Sequence, residues 1–264
     1  MNKMGPRRKK VLDTSIVVFP NLFTTGNLFC GFYSIIMSLK GNFSGAAYLI
    51  LAAGIFDLLD GRVARLVKSV SEFGKEYDSL ADLVSFGVAP AMIAYLCNLM
   101  FIPRIGWLAA FLMVACGALR LARFNVMSSL RDPRFFVGLP IPIAAVTVAT
   151  CYLFIREIGV DVKDNYIFLA LVPIVSFLMV SGVNYKSYKK AQDTVRRDFF
   201  ANMVIFLLLL VVVAVHPDLM LFLLAIIYIV HGLLLDSYNR VRSMILSKKV
   251  KRVTRLKDKD GVTL

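Results

Sequence analysis

The chain of 264 residues carries a formal net charge of +14, and 58% of its residues are hydrophobic, with a mean hydropathy of +0.72. Few water-soluble domains can hide that much apolar surface, which excludes an ordinary globular domain and assigns the chain to a bilayer. The basic residues fall in short clusters between apolar runs rather than on one polar domain, so anionic lipid headgroups are the expected partner and nucleic acid is not.

A helix needs about 20 apolar residues to cross the hydrocarbon core. Eight runs approach that length, at roughly 16–39, 44–63, 79–101, 105–124, 137–155, 165–183, 199–215 and 218–236. Residues 1–15 form a basic segment, and the run after it reaches spanning length without a cleavage site, so the first span is expected to be retained. That span carries Asn21, Thr24 and Asn27, a polar stripe turned toward something other than lipid; interhelical hydrogen bonds and a nucleotide explain it equally well. The second run ends on Asp57 and Asp60, and the third begins with Asp78 and Asp82. Arg120 and Arg123 stand at the end of the fourth, on one helix face. Lys186, Lys189 and Lys190 follow the sixth and read as topology determinants.

Beyond residue 183 the layout is a basic loop with two more spans over 184–236, then a basic tail over 237–264 whose Lys248–Lys259 stretch is held to anionic lipid. Cys30, Cys97, Cys116 and Cys151 are scattered through apolar runs without metal-ligand spacing and are expected to be reduced packing residues. His216 and His231 are isolated, and a structural or interfacial role is expected for both. The result is an all-α integral membrane protein with a bundle of about eight transmembrane helices. An even number of spans puts both termini on one side, and 27 of the 31 Lys and Arg residues fall on that side. Both termini are therefore expected in the cytoplasm. Inverted repeats of the transporter kind are not evident.

Carboxylates near membrane depth are costly and require a partner. Asp57 and Asp60 share one helical face, as do Asp78 and Asp82, and the two spans meet at the cytoplasmic surface, where all four acids can converge. Such a group repels itself unless cations neutralise it, and an all-oxygen ligand set selects Mg²⁺, Mn²⁺ or Ca²⁺. One or two divalent ions are expected. Gly61, Ala64 and Gly74 leave room for phosphates to approach the backbone, and Arg62, Arg65, Lys68 and Lys75 are close by. A metal-bridged polyphosphate flanked by cations suits phosphoryl-type transfer. From spacing alone, helix caps and surface ion pairs are the alternative reading of the same acids.

The run Asp57-Leu-Leu-Asp60-Gly61-Arg-Val-Ala64-Arg65, eight further residues, and then Gly74-Lys-Glu-Tyr-Asp78-Ser-Leu-Ala-Asp82 resembles the signature of the CDP-alcohol phosphatidyltransferase family at every defined position. The resemblance implies a membrane helical bundle, commonly dimeric, with a two-metal site at the cytoplasmic face and a six-helix core, here residues 16–183. It implies that Asp57, Asp60 and Asp78 hold the metals. Asp82 would act as the base toward the acceptor alcohol and also touch a metal. Gly61, Ala64, Arg65 and Gly74 match positions that receive the CDP moiety, to which Thr24 and Asn27 are added as candidates. Mg²⁺ or Mn²⁺, two per site, is the cofactor so implied.

The acceptor has to be read elsewhere. Arg120 and Arg123 suit an anionic acceptor, with snorkelling anchors as the equally plain alternative. Asn27-Leu-Phe-Cys-Gly-Phe, the run Ser79 to Pro90, Arg120-Leu-Ala-Arg-Phe-Asn and Phe136-Val-Gly-Leu-Pro-Ile-Pro together resemble the phosphatidylserine synthase branch of that family. On that resemblance CDP-diacylglycerol and L-serine are the substrates, and the Arg pair finds its use in the serine carboxylate. Rival readings are the same chemistry on glycerol 3-phosphate or an inositol phosphate and, from another class, a divalent cation transporter.

Overall fold

A computed structural model describes residues 6–67, 71–127, 135–162, 165–186 and 217–259, with side chains placed for 21–63, 71–127, 138–162, 165–183 and 217–238. The described part is helical apart from two three-residue strands. Five helices are long and apolar enough to cross a membrane: Asn21–Leu39, Phe43–Val63, Glu72–Cys97, Gly106–Met127 and Pro217–Tyr238. Two of the eight expected spans appear as shorter helices, and the run at 199–215 lies outside the described residues.

α1 (Pro6–Leu39) and α2 (Phe43–Val67) form a tight hairpin. The chain reverses through Gly41, whose φ of +76° is left-handed and favours glycine, and Asn42 then accepts from the Gly45 N–H at 2.9 Å. Ala46, Ala47, Ile50 and Ala53 are fully buried along one face of α2, and their small size lets the backbones close up, with Ser34 Oγ donating to the Ala46 carbonyl at 2.9 Å.

The next span is built from α3 (Glu72–Asp82), a π-helical turn over Leu83–Val88 and α4 (Ala89–Cys97). Ser71 caps its start by accepting from the Gly74 N–H at 2.9 Å. The π turn has a local cause. Pro90 has no N–H to give the preceding turn, and the Ala89 N–H reaches back five residues to the Val84 carbonyl.

α5 (Gly106–Met127) follows, then α6 (Ile141–Glu157) and α7 (Ile167–Val180). α6 and α7 have 17 and 14 residues. Pro140 and Pro142 fix where α6 begins, and the approach to it is taken up by β1 (Phe135–Val137), paired antiparallel with β2 (Asn184–Lys186). The run at 137–155 thus starts as helix only at Ile141, and the run at 165–183 is helical over Ile167–Val180. Asn98 holds the α6–α7 connection from below α4, donating to the carbonyls of Val162 at 2.6 Å and Asn165 at 2.7 Å.

α8 (Pro217–Lys259) is one helix of 43 residues. It lies against α6, with Phe222 stacked on Phe154 at 5.1 Å, and Asp218 accepts from the Tyr48 hydroxyl at 2.7 Å. The stretch expected as a basic tail thus continues the last helix as far as Lys259. The four cysteines are buried and unpaired with one another, as packing residues should be.

Phe86, Ile93, Met113, Ile141, Leu153 and Phe168 fill the centre of the bundle. Its outer surface is rich in large apolar side chains, among them Leu22, Phe32, Ile55, Phe111, Phe177 and Ile227. An exterior of that kind is stable where lipid is the solvent.

Candidate metal and transfer site

The end of α2 and the beginning of α3 converge as the spacing of their acids requires. One carboxylate oxygen each from Asp57, Asp60 and Asp78 lies within 4.8 Å of the others. Asp82 follows Asp78 one turn deeper on α3 and is almost fully buried; it is not part of that closest group. Asp60 is buried as well, whereas Asp57 and Asp78 are half-buried. Three carboxylates this close, in apolar surroundings, need positive charge among them. Asp78 Oδ1 is buried and has no hydrogen-bond partner. An all-oxygen set with an idle buried carboxylate oxygen fits a hard divalent cation, and these residues could hold one.

α1 supplies hydrogen-bond donors to the acids. Thr24 Oγ1 donates to Asp60 Oδ2 at 3.1 Å, and Asn27 Nδ2 donates to Asp82 Oδ1 at 3.0 Å. The Thr25 hydroxyl meets the Tyr77 hydroxyl at 3.0 Å. The polar stripe of the first span therefore faces the acid-bearing helices, and both of its inner members are buried. α1 can come this close because Gly31 packs directly on Ser85 of the π turn, where a Cβ would stand 2.5 Å from the Ser85 Cα. Ser85 in turn donates to the Asn27 carbonyl at 2.9 Å.

Gly61 follows Asp60, and a Cβ there would meet nothing within 4 Å. Gly74 lies in the capped first turn of α3; a Cβ there would be 3.0 Å from Ser71 Oγ and 3.4 Å from Asn21 Oδ1. Ala64 and Arg65 belong to the last turns of α2, and their side chains lie outside the described set. Arg120 lies within electrostatic reach of Asp82, Tyr228 and Asp57. Its Nε is buried without a hydrogen-bond partner. Arg123 is engaged differently, since one of its guanidinium nitrogens donates to the Val180 carbonyl at the end of α7, at 3.2 Å. The two arginines that share a face in the sequence thus make different contacts.

The sequence did not show how several residues at the site pair with one another. Asn125 on α5 donates to Ser79 Oγ at 3.0 Å and Glu76 Oε2 at 3.3 Å, while Lys75 Nζ donates to the Asn125 carbonyl at 3.1 Å. That cluster ties α5, with its arginines, to α3, with its acids. Tyr228 comes from α8, an element whose sequence reads only as a generic span. Asn125 stood in the sequence only as the last residue of the Arg120-Leu-Ala-Arg-Phe-Asn run.

Comparison with known proteins adds a second line. The model of the CDP-alcohol phosphatidyltransferase family matches residues 17–183. A CDP-diacylglycerol–serine O-phosphatidyltransferase from Helicobacter pylori is 41% identical over 198 residues, covering 75% of this chain and 83% of its own length. An archaetidylserine synthase from Methanothermobacter thermautotrophicus is 42% identical over 174 residues, 65% of this chain and 71% of its own. A CDP-diacylglycerol–serine O-phosphatidyltransferase from Bacillus subtilis is 38% identical over 172 residues, 65% and 91% of the two chains.

Proposed function

Since the chain belongs to the CDP-alcohol phosphatidyltransferase family, we propose that it transfers the phosphatidyl group of CDP-diacylglycerol to L-serine, giving phosphatidylserine and CMP. The observation that carries this is the meeting of Asp57, Asp60 and Asp78 within 4.8 Å at the junction of α2 and α3, inside the matched region. The names of the three relatives agree on serine and differ in the lipid, which supports the acceptor more firmly than the tails.

Asp57, Asp60 and Asp78 are the metal ligands of this reading, with two ions of Mg²⁺ or Mn²⁺ per site. Bound there, divalent cations would neutralise the diphosphate and favour the departure of CMP. The chain's own groups do the rest. Open space at Gly61 admits the diphosphate beside Asp60. Arg120, with a buried donor to spare, takes the serine carboxylate, and Arg123, Ala64, Arg65 and Gly74 border the substrates. The serine hydroxyl loses its proton to Asp82 as its oxygen bonds to the phosphorus that carries the diacylglycerol. The bond from that phosphorus to the bridging oxygen breaks, and the electron pair leaves with CMP.

In the bilayer the acid-bearing ends of α2 and α3 face the cytoplasm, in the cell membrane, with both termini on that side and eight spans in all. The distribution of Lys and Arg supports that orientation. The protein acts as a homodimer, as the family resemblance implies. Purified protein given CDP-diacylglycerol and Mn²⁺ should release CMP with L-serine and not with glycerol 3-phosphate, inositol phosphate or no acceptor. Release that follows one of the other alcohols would overturn the acceptor and keep the site.

A further inference from the structure

Among the residues whose side chains are described, α1 contributes no acid to the site, yet it makes a direct contact with one acid on each of the two helices that do. Thr24 and Asn27 lie three residues apart, so their side chains leave the same face of α1 nearly one turn from each other. The first donates to Asp60 on α2 at 3.1 Å and the second to Asp82 on α3 at 3.0 Å. Neither contact is on the surface, since Thr24 is 4% exposed and Asn27 is 0% exposed. A buried amide is costly unless its groups are satisfied. Asn27 bears that cost with its Oδ1 left unpartnered, while its Nδ2 is committed to a carboxylate. The residue is itself fixed from behind by Ser85, whose hydroxyl donates to the Asn27 carbonyl, and by the close approach of Gly31.

We propose that α1 is a two-point clamp in which Thr24 orients Asp60 for metal and Asn27 orients Asp82 for the acceptor hydroxyl. Both are positioning residues, and neither is a contact for the CDP moiety. A carboxylate has two oxygens and free rotation about its last bond. A donor fixed to one oxygen sets the plane of the group. Thr24 engages Asp60 at Oδ2 and Asn27 engages Asp82 at Oδ1, and the lone pairs that each donor leaves open on its carboxylate serve cation and proton. The closest oxygen group contains Asp60 and excludes Asp82, so the two halves of the clamp act on different steps. The division between metal and base rests on the transfer reaction above; the effect of Thr24 on metal does not.

The isosteric variants Thr24→Val and Asn27→Leu remove one donor each, and two readouts separate them. Outer contacts to metal ligands are typically worth about 10–100-fold in affinity or activity. Titrating free Mn²⁺ by electron paramagnetic resonance, without substrate, should show Thr24→Val binding about 10-fold more weakly or worse, and a smaller change in Asn27→Leu. In CMP release, Asn27→Leu should lose about 10–100-fold in kcat while its KM values for serine and CDP-diacylglycerol change far less. Thr24→Ser and Asn27→Ser, which keep a donor hydroxyl, should each recover part of what Thr24→Ala and Asn27→Ala lose, and these four decide the matter if the isosteres do not fold. Variants that raise the KM for CDP-diacylglycerol and leave both Mn²⁺ affinity and kcat at wild-type values would overturn the clamp and make these residues ligands of the nucleotide. If wild-type protein shows no serine-dependent release, the reaction fails, and the Mn²⁺ titration still tests Thr24 by itself.

Discussion

Replacing Gly31 by alanine tests whether the spacing between α1 and the π turn is what places the catalytic acid. The new Cβ would lie 2.5 Å from the Ser85 Cα, against the 3.4 Å at which ordinary contact begins. Because that neighbour is backbone, it has no rotamer into which to retreat, and the two segments must separate by about 1 Å, a displacement that can cost about 100-fold in rate. Asn27 lies one turn from Gly31, and its 3.0 Å bond to Asp82 would lengthen to about 4 Å, beyond hydrogen-bonding range. The overpacking itself should cost about 1–3 kcal/mol of stability. Gly54→Ala is the control, because a Cβ on Gly54 meets nothing within 4 Å. The assay is kcat for CMP release with saturating serine and Mn²⁺, read beside a thermal melt in the same detergent. A Gly31→Ala protein with wild-type kcat would refute the idea that this contact sets the position of Asp82.

Asp57→Asn and Asp78→Asn should each weaken Mn²⁺ binding by more than about 100-fold, the upper limit of what an outer contact costs, and abolish transfer; the resonance titration checks the first and CMP release the second. Arg120→Ala should raise the KM for serine by about 10-fold or more, as expected for a lost charged hydrogen bond of about 1.5–3 kcal/mol. Arg123→Ala should affect KM less, since that side chain already serves the Val180 carbonyl; equal KM effects in steady-state kinetics would argue against the assignment. Asn98→Ala should lower the melting temperature through loss of its two bonds to the α6–α7 connection, at about 1–3 kcal/mol, without changing either KM.

The two acid pairs could be read from the sequence because helical spacing dictates which side chains share a face, and a short connection dictates which helix ends meet. Asn21, Thr24 and Asn27 could likewise be read as turned away from lipid, but periodicity does not say whether a ligand or a neighbouring helix lies opposite. The partners only appear once α1 is packed on α3, and that packing depends on Gly31 and on a π turn that breaks the regular period. Hydropathy treats 137–155 and 165–183 as full spans, whereas Pro140 and Pro142 delay the start of α6 to Ile141 and α7 ends at Val180, ahead of the strand that begins at Asn184. Asn125 belonged to a recognisable run but its partners did not show in it, and Tyr228 is a single polar residue in an apolar helix; tertiary structure brings the two to Ser79 and Arg120.

The most direct test of the transfer reaction follows label from serine into lipid. With radiolabelled L-serine, CDP-diacylglycerol and Mn²⁺, the purified protein should form one organic-extractable labelled product for each CMP released, and EDTA should stop both together. CMP release without label in the lipid fraction, or label entering lipid unaffected by EDTA, would contradict the account.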